Sequence, residues 1–164
     1  MNTSVKSALL IAACYIGTAL GCLAAPAATD SKLSVETIGA VRFVGIDKGH
    51  QYGAGLGASY NLSKSVALTG RALAYETPDG WRGSTIDEAG AGIAATLLSA
   101  GRLSLAGVAG VNYAFAAEDI GIGVGARARI QIVGGLYGFG QAEWRLWDKQ
   151  ESDILTSVGI GWSF

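Results

Sequence analysis

The sequence predicts an all-β fold: an eight-stranded, antiparallel, up-and-down transmembrane β-barrel preceded by a cleaved signal peptide. Three observations lead to this prediction. An uninterrupted apolar run lies at the N-terminus, and the rest of the 164 residues alternates between apolar and polar side chains in stretches of about ten residues. No segment shows the helical period together with helix caps. Each strand of such a barrel needs about 9–11 residues to cross the hydrocarbon.

The composition excludes several classes of protein. A formal net charge of −1 and a pI near 5.8 give no electrostatic case for binding nucleic acid. Half of the residues are hydrophobic, which is too many for a disordered chain. The length is that of one domain, and it is sufficient for a single closed sheet.

Residues 1–27 have the features of a secretory signal peptide. Lys6 precedes the apolar run "SALLIAACYIGTALGCLA", and "APA" at 25–27 fits a cleavage site, so the mature barrel would comprise residues 28–164. Two alternatives are a retained helix and a lipid attached to Cys22, although Ala19 is a poor match to the residue that usually precedes a lipidated cysteine by three positions. Cleavage would remove both cysteines and leave an exported chain without a disulfide framework.

Eight alternating segments follow the signal peptide. The predicted strands are 35–44, 51–61, 66–76, 86–98, 103–114, 121–132, 136–147 and 153–164. Tight turns ("NLSKS", "SAGR" and "VGG") alternate with longer, more charged connections ("GIDKGH", "TPDGWRGS", "AFAAEDI" and "DKQES"). This alternation is expected when short turns face the periplasm and longer loops face outward, and an even strand count would place both termini on the periplasmic side.

The charges within the strands predict a polar lumen. In the sixth strand, Arg127 and Arg129 lie opposite a face of Ile, Val and Ala. An arginine at the midplane of the lipid face costs about 2–4 kcal/mol, so these side chains are expected to point inward. The same alternation assigns eight charged residues to the lumen: Glu36, Arg42, Arg71, Glu88, Arg127, Arg129, Glu143 and Arg145.

An eight-stranded barrel has an interior only wide enough for side chains to fill, and buried charges must pair there. We therefore expect an Arg–Glu network that plugs the lumen. The two surplus arginines would lie near the ends or bond to Gln131, Gln141 or carbonyl groups. Seven glycines would make room for the long side chains: Gly53, Gly55, Gly57, Gly90, Gly92, Gly123 and Gly125.

Aromatic residues on the outward-facing positions predict two girdles at the membrane interfaces. Phe43, Tyr52 and Tyr113 fall near the outer end, with Trp144 most of the way along its strand, and Tyr60, Trp162 and Phe164 fall near the periplasmic end.

Other motifs give little indication of chemistry. The glycine-rich runs "GAGLGASY" and "GIGVGARA" continue strands and precede no helix, so they do not predict a dinucleotide site. His50 is the only histidine, with no nearby serine to complete a nucleophilic arrangement, and is predicted to be a solvated loop residue. Trp81 and Arg82 in "TPDGWRGS" are candidate contacts for a partner or a lipid headgroup.

Acidic residues are concentrated in the longer connections. Asp79, Asp87, Glu118, Asp119, Asp148, Glu151 and Asp153 lack the ligand spacing of a dedicated calcium site. They are interpreted as a solvated acidic rim, and neither a metal nor a cofactor is expected.

The signal peptide, the eight segments, turns such as "YNLSKSVAL" and the C-terminal "SVGIGWSF" resemble those of small Gram-negative outer-membrane β-barrels, the OmpA-type transmembrane domain and the OmpX-type family. The resemblance covers nearly all of the mature chain. It implies an outer-membrane location, contact with lipid and lipopolysaccharide, and recognition of Phe164 by the barrel assembly machinery. Members of this family serve as envelope anchors, adhesins and complement-resistance factors, and some modify lipid A.

The leading hypothesis is a monomeric, non-enzymatic barrel with a structural or surface-interaction role. The alternatives are a lipid-A-modifying enzyme with His50 in its site and a narrow, porin-like channel.

Overall fold

The computed structural model describes residues 32–44, 49–76 and 86–164. Within these ranges the chain forms eight strands: β1 (Leu33–Val44), β2 (His50–Asn61), β3 (Val66–Tyr75), β4 (Glu88–Ala100), β5 (Leu103–Ala114), β6 (Asp119–Val133), β7 (Leu136–Trp147) and β8 (Asp153–Ser163). Their ends lie within two residues of the predicted ones. The predicted signal peptide and the candidate contacts Trp81 and Arg82 lie outside the described residues. The described part of the chain contains no helix that is long and apolar enough to span a membrane.

The strands form one closed antiparallel barrel in which each strand pairs with its neighbours in sequence, and β8 pairs with β1. Closure aligns Val35 with Trp162 and Val41 with Thr156, so the last strand completes the hydrogen bonding of the first. The predicted eight-stranded, up-and-down, all-β barrel is therefore confirmed. Closure removes the unpaired edges that an open sheet of this length would expose.

The alternating sequence produces two different faces. In β1, Glu36, Ile38 and Arg42 are buried, whereas the intervening Val35 and Phe43 are about 45% exposed. Because side chains alternate across a strand, the register places every second residue in the lumen. The buried core is the lumen itself, where Leu73, Tyr137 and Leu155 are almost completely enclosed.

The two ends of the barrel differ in their connections. Three short turns join β2 to β3, β4 to β5 and β6 to β7 at one end of the barrel. β1 begins and β8 finishes at the same end, which we call the turn end. Gly101 and Gly134 occupy the first central positions of two-residue turns with φ of +59° and +53°, as type II′ turns require. β1, β3, β5 and β7 finish at the opposite end, which we call the loop end.

Two irregularities in strand pairing lie near the turn end. One falls between Thr96 and Leu98 in β4, and the other between Gln131 and Val133 in β6. Such bulges change the face that later side chains occupy. In β4 the shift pairs Ser99 with Ser104, which directs a hydroxyl toward the mouth of the lumen.

Candidate functional site

The charged side chains of the lumen form three groups along the barrel axis, and the loop-end cluster is the most enclosed. It consists of Arg42, Tyr75, Glu88, Arg145, Trp147 and Asp153. Arg145 Nε donates to Asp153 Oδ1 at 2.6 Å, and its Nη1 donates to Glu88 Oε1 at 2.5 Å. Asp153 Oδ2 also accepts from Arg42 Nε at 2.6 Å. Arg42 and Arg145 thus share the Asp153 carboxylate, and the described residues around them shield this site from solvent.

Aromatic hydrogen-bond donors complete the loop-end cluster. The Trp147 indole N–H donates to Asp153 Oδ2 at 3.0 Å, and the Tyr75 hydroxyl donates to Glu88 Oε2 at 3.1 Å. The guanidinium carbons of Arg42 and Arg145 lie 5.5 and 5.1 Å from the Trp147 ring centroid. The same side chains therefore satisfy the carboxylates and pack against the cations.

Two residues predicted from the sequence to lie in a solvated acidic rim are buried instead. Asp153 is 2% exposed and accepts from three donor side chains. Asp119, assigned to the same rim, is 1% exposed and accepts from the backbone N–H groups of Lys149 and Gln150. The available signal was alternation, because Asp153 has the same parity as the inward Ser157. Asp119 and Asp153 each begin a strand, where a sequence pattern cannot distinguish a loop position from a lumen position.

The central cluster lies below the loop-end cluster. Arg71 pairs with Glu143 and donates from Nη2 to Asn112 Oδ1 at 2.8 Å, while Gln141 Nε2 donates to Glu143 Oε2 at 2.7 Å. Arg71 also lies 3.7 Å from Glu88, which connects the two clusters. Among the described residues, Arg71 Nε and Asn112 Nδ2 have no hydrogen-bond partner, and both residues line a cavity of about 40 Å³. A single water needs only roughly 10–15 Å³.

The turn-end cluster contains Glu36, Arg127, Arg129, Tyr137 and Ser163. Glu36 pairs with Arg127 and accepts from the Tyr137 hydroxyl at 2.7 Å. Arg129 donates to Ser163 Oγ at 2.7 Å, and its guanidinium carbon lies 3.5 Å from the Tyr137 ring centroid. None of the ion pairs among the described residues includes Arg129.

All eight predicted lumen charges lie inside the barrel, and three of the five arginines pair with a glutamate: Arg71 with Glu143, Arg127 with Glu36 and Arg145 with Glu88. With Asp153, the five arginines face four carboxylates, so one arginine is in excess instead of two. The two arginines without a glutamate partner, Arg42 and Arg129, lie in the loop-end and turn-end clusters, as expected for surplus arginines near the ends. Neither bonds to Gln131 or Gln141, because Gln141 donates to Glu143 and Gln131 donates to the Gly134 carbonyl. Tyr75, Asn112, Tyr137 and Ser163 were not predicted as partners.

Several lumen glycines leave the room that the network occupies. A Cβ on Gly53 would lie 2.8 Å from the Tyr75 ring, and one on Gly123 would lie 2.7 Å from Glu143 Oε1. A Cβ on Gly90 would collide with Asn112 Oδ1. Gly55 and Gly125 would instead meet the carbonyl oxygens of the neighbouring strands, so there the sheet itself leaves no space.

The lumen widens toward the turn end. Two recesses of about 90 and 180 Å³ lie there, whereas the central cavity has about 40 Å³. At the loop end the described lumen is filled by the loop-end cluster together with Leu73 and Leu155, each 1% exposed.

The predicted girdle residues all face outward. Phe43, Tyr52, Tyr60, Tyr113, Trp144, Trp162 and Phe164 are between 39% and 68% exposed. At the loop end, Tyr113 contacts Phe115 edge to face with ring centroids 5.1 Å apart. At the turn end, the Phe164 N–H donates to the Leu33 carbonyl at 2.9 Å, which fixes the C-terminal residue to β1.

His50 lies on this outward face and not in the lumen. The sequence pattern predicts a loop position for His50, but it is the first residue of β2 and pairs with Phe43. The centroid of its ring lies 5.0 Å from that of Tyr52 and 6.4 Å from that of Phe43. Among the described residues it has no hydrogen-bonded serine or carboxylate. The described residues also contain no group of three or more His, Cys, Asp or Glu side chains placed to hold a metal ion.

Comparisons with known proteins give structural similarity alone. No family model matches the sequence, and no curated protein is significantly similar to it. A barrel from the de novo design of transmembrane β-barrels superposes with a TM-score of 0.60 at 16% identity, over 84% of this chain and 99% of that one. The N-terminal β-barrel domain of Pseudomonas aeruginosa OprF gives 0.57 at 12% identity, over 82% and 100% of the two chains.

The structure of Ail, the attachment invasion locus protein of Yersinia pestis, in complex with the heparin analogue sucrose octasulfate also superposes on this chain. Its TM-score is 0.56 at 15% identity, over 82% of this chain and 99% of Ail. These identities are too low to transfer an activity, but the shared architecture extends over almost the whole of each matched chain. The chain therefore has the fold of the small, eight-stranded, OmpA- and OmpX-type barrels.

Proposed function

We propose that the chain is an integral outer-membrane β-barrel of a Gram-negative bacterium, with a structural or surface-interaction role and no catalytic activity. The main observation behind the proposal is that apolar side chains cover the outer face and charged side chains fill the interior, the reverse of a soluble protein. Large apolar residues such as Leu56, Val158 and Ile160 are more than half exposed on the outer face, whereas Arg145 and Glu88 are enclosed. Soluble proteins rarely expose a large contiguous apolar patch, but hydrocarbon requires one.

The aromatic residues support a transmembrane orientation. Tyr60, Trp162 and Phe164 lie at the turn end, and Phe43, Tyr52 and Tyr113 lie at the loop end, which is the arrangement of the two aromatic girdles of a membrane barrel. Short turns face the periplasm in bacterial barrels, so the loop end faces outward, toward lipopolysaccharide. Trp81 and Arg82, which fall between β3 and β4 in the sequence and outside the described residues, are our candidates for surface contacts.

Phe164 also supports export to this membrane. It closes the alternating pattern of β8 and is held against β1 by its backbone N–H, at the end of the strand that completes the barrel. We propose that it forms the signal for the barrel assembly machinery. Because closure leaves no unpaired strand edge, the protein has no structural need for a second copy and is proposed to be a monomer.

Membrane fractionation of expressing cells tests the location. The protein is expected in the outer-membrane fraction, and it should migrate faster on a gel when unboiled, because the folded barrel resists detergent. A migration that boiling does not change, or recovery in the soluble fraction, would contradict the proposal.

The absence of catalysis is tested at His50, the only histidine. Since its described neighbours are the Phe43 and Tyr52 rings, His50→Ala is expected to leave the lipid A mass profile of expressing cells unchanged. A shifted profile in wild-type cells that His50→Ala abolishes would instead establish the lipid-A-modifying alternative.

A further inference from the structure

We propose that the mouth of the lumen at the turn end binds a phosphate group. The site, which we call the turn-end recess, is the cavity of about 180 Å³ lined by Lys64, Arg102, Arg129, Ser99, Ser104 and Thr96. This volume is below that of a pocket for a drug-sized ligand but far above what one water requires. A small anionic group is therefore the size of ligand that fits.

Three cations from separate parts of the fold surround the recess. Lys64 lies in the turn between β2 and β3, Arg102 in the turn between β4 and β5, and Arg129 on the inward face of β6. No carboxylate of the described residues lines this recess. The nearest carboxylate of the turn-end cluster, Glu36, is already occupied by Arg127 and the Tyr137 hydroxyl. Among the described residues, the positive charge of the recess is thus left without an internal counterion.

Arg129 is fixed in place for such a ligand. Its guanidinium stacks on Tyr137 at 3.5 Å and donates from Nη2 to Ser163, and none of the described ion pairs includes it. A guanidinium has five N–H donors in a rigid fork, so the bond to Ser163 leaves others free for an anion. Because its orientation is set by stacking, Arg129 loses little freedom on binding.

Neutral donors favour a phosphate over a simple carboxylate. Ser99, Ser104 and Thr96 place hydroxyl groups on the wall between the cations. The β4 bulge is what brings Ser99 to this wall, by shifting the register after Thr96. A phosphate has more acceptor oxygens than a carboxylate and can use the converging cations and hydroxyls together. The group could belong to a soluble phosphate or to a phospholipid headgroup of the inner leaflet.

The first arm of the test measures binding of inorganic phosphate to the refolded protein in an uncharged detergent at low salt, by calorimetry. Lys64→Gln and Arg102→Gln, at exposed positions, are each expected to weaken binding about threefold to fivefold. Lys149→Gln is the matched control: it removes the same charge from the loop end, where the lysine donates to the Glu118 carbonyl, and should leave binding unchanged.

The second arm measures retention of phosphatidylglycerol by native mass spectrometry from mixed micelles. Retention that Lys64→Gln and Arg102→Gln reduce identifies a lipid headgroup as the ligand, and binding in the first arm alone identifies a soluble phosphate. If the wild-type protein binds neither probe, the proposal is overturned. Equal weakening by Lys149→Gln would also overturn it, because net charge and not the recess would then account for binding.

Discussion

At the residue scale, Arg145 combines complete burial with ion pairs to two carboxylates of the loop-end cluster. It has no exposed surface, and its guanidinium bonds to both Glu88 and Asp153. Desolvating an ion costs several kcal/mol, so the stability of this region depends on keeping every partner present. Removing one member leaves charges that neither water nor lipid can solvate.

Replacing Arg145 with Met is therefore expected to lower the free energy of unfolding by about 3–5 kcal/mol, because Glu88 and Asp153 lose their shared partner. Denaturant unfolding of the protein folded in lipid vesicles measures the change. Lys149→Met is the control, because Lys149 is exposed in the neighbouring loop, and it should alter stability by no more than about 0.5 kcal/mol. Equal losses in the two variants would show that the buried network contributes nothing specific.

A second residue-scale prediction concerns space at glycine positions. A Cβ on Gly125 would meet the Ala142 carbonyl and lie 2.8 Å from Glu143 Cα, so the backbone of β7 must move. We expect Gly125→Ala to destabilise the barrel by about 1–3 kcal/mol in the same unfolding assay. Gly140→Ala is the matched control, since no heavy atom lies within 4 Å of its Cβ position. If Gly125→Ala were as neutral as Gly140→Ala, the close approach of the β7 backbone would not explain the glycine at position 125.

At the scale of elements, alternation predicted the strands well because the inward and outward environments differ so strongly. β5 and β7 were predicted with the bounds that they have. The bulge in β4 was not predicted. Leu97 and Leu98 are both apolar and both exposed, so the sequence alternation does not show that the register shifts there. A period of two identifies faces, but it carries no information on where the register shifts.

The pairing inside the lumen was less predictable for a different reason. Arg127 on β6 pairs with Glu36 on β1, and these strands are not neighbours in the barrel. Such a contact depends on the stagger of all the intervening strands, which sequence alternation does not reveal. The sequence could therefore assign charges to the lumen but not choose their partners.

The turns give a prediction at this scale. Gly134 has a φ of +53° in the turn between β6 and β7, and no heavy atom lies within 4 Å of its Cβ position. Gly134→Ala is therefore expected to cost about 1 kcal/mol from backbone strain alone. Gly140→Ala, which has the same open space and an ordinary φ, separates strain from packing. A neutral Gly134→Ala in vesicle unfolding would show that the turn adapts.

At the scale of the whole molecule, the barrel is asymmetric along its axis. The loop end is filled by paired charges and aromatic rings, and the turn end opens into recesses of about 90 and 180 Å³. An ion entering from the turn end would reach the Arg127–Glu36 pair and then the central and loop-end clusters. We expect passage to require separation of these buried ion pairs, and each separation exposes charges to an unfavourable environment.

We therefore expect the wild-type protein to show no discrete single-channel steps in a planar bilayer. Arg42→Ser combined with Trp147→Ala removes two members that fill the loop end, and this variant is expected to conduct if the cluster is the main barrier. Heat-modifiable migration of the variant confirms that it still forms a barrel. Discrete conductance in the wild-type protein would favour the porin-like alternative. A folded variant that remains silent would place the barrier at the central and turn-end pairs instead, because those clusters still span the lumen after the loop end is opened.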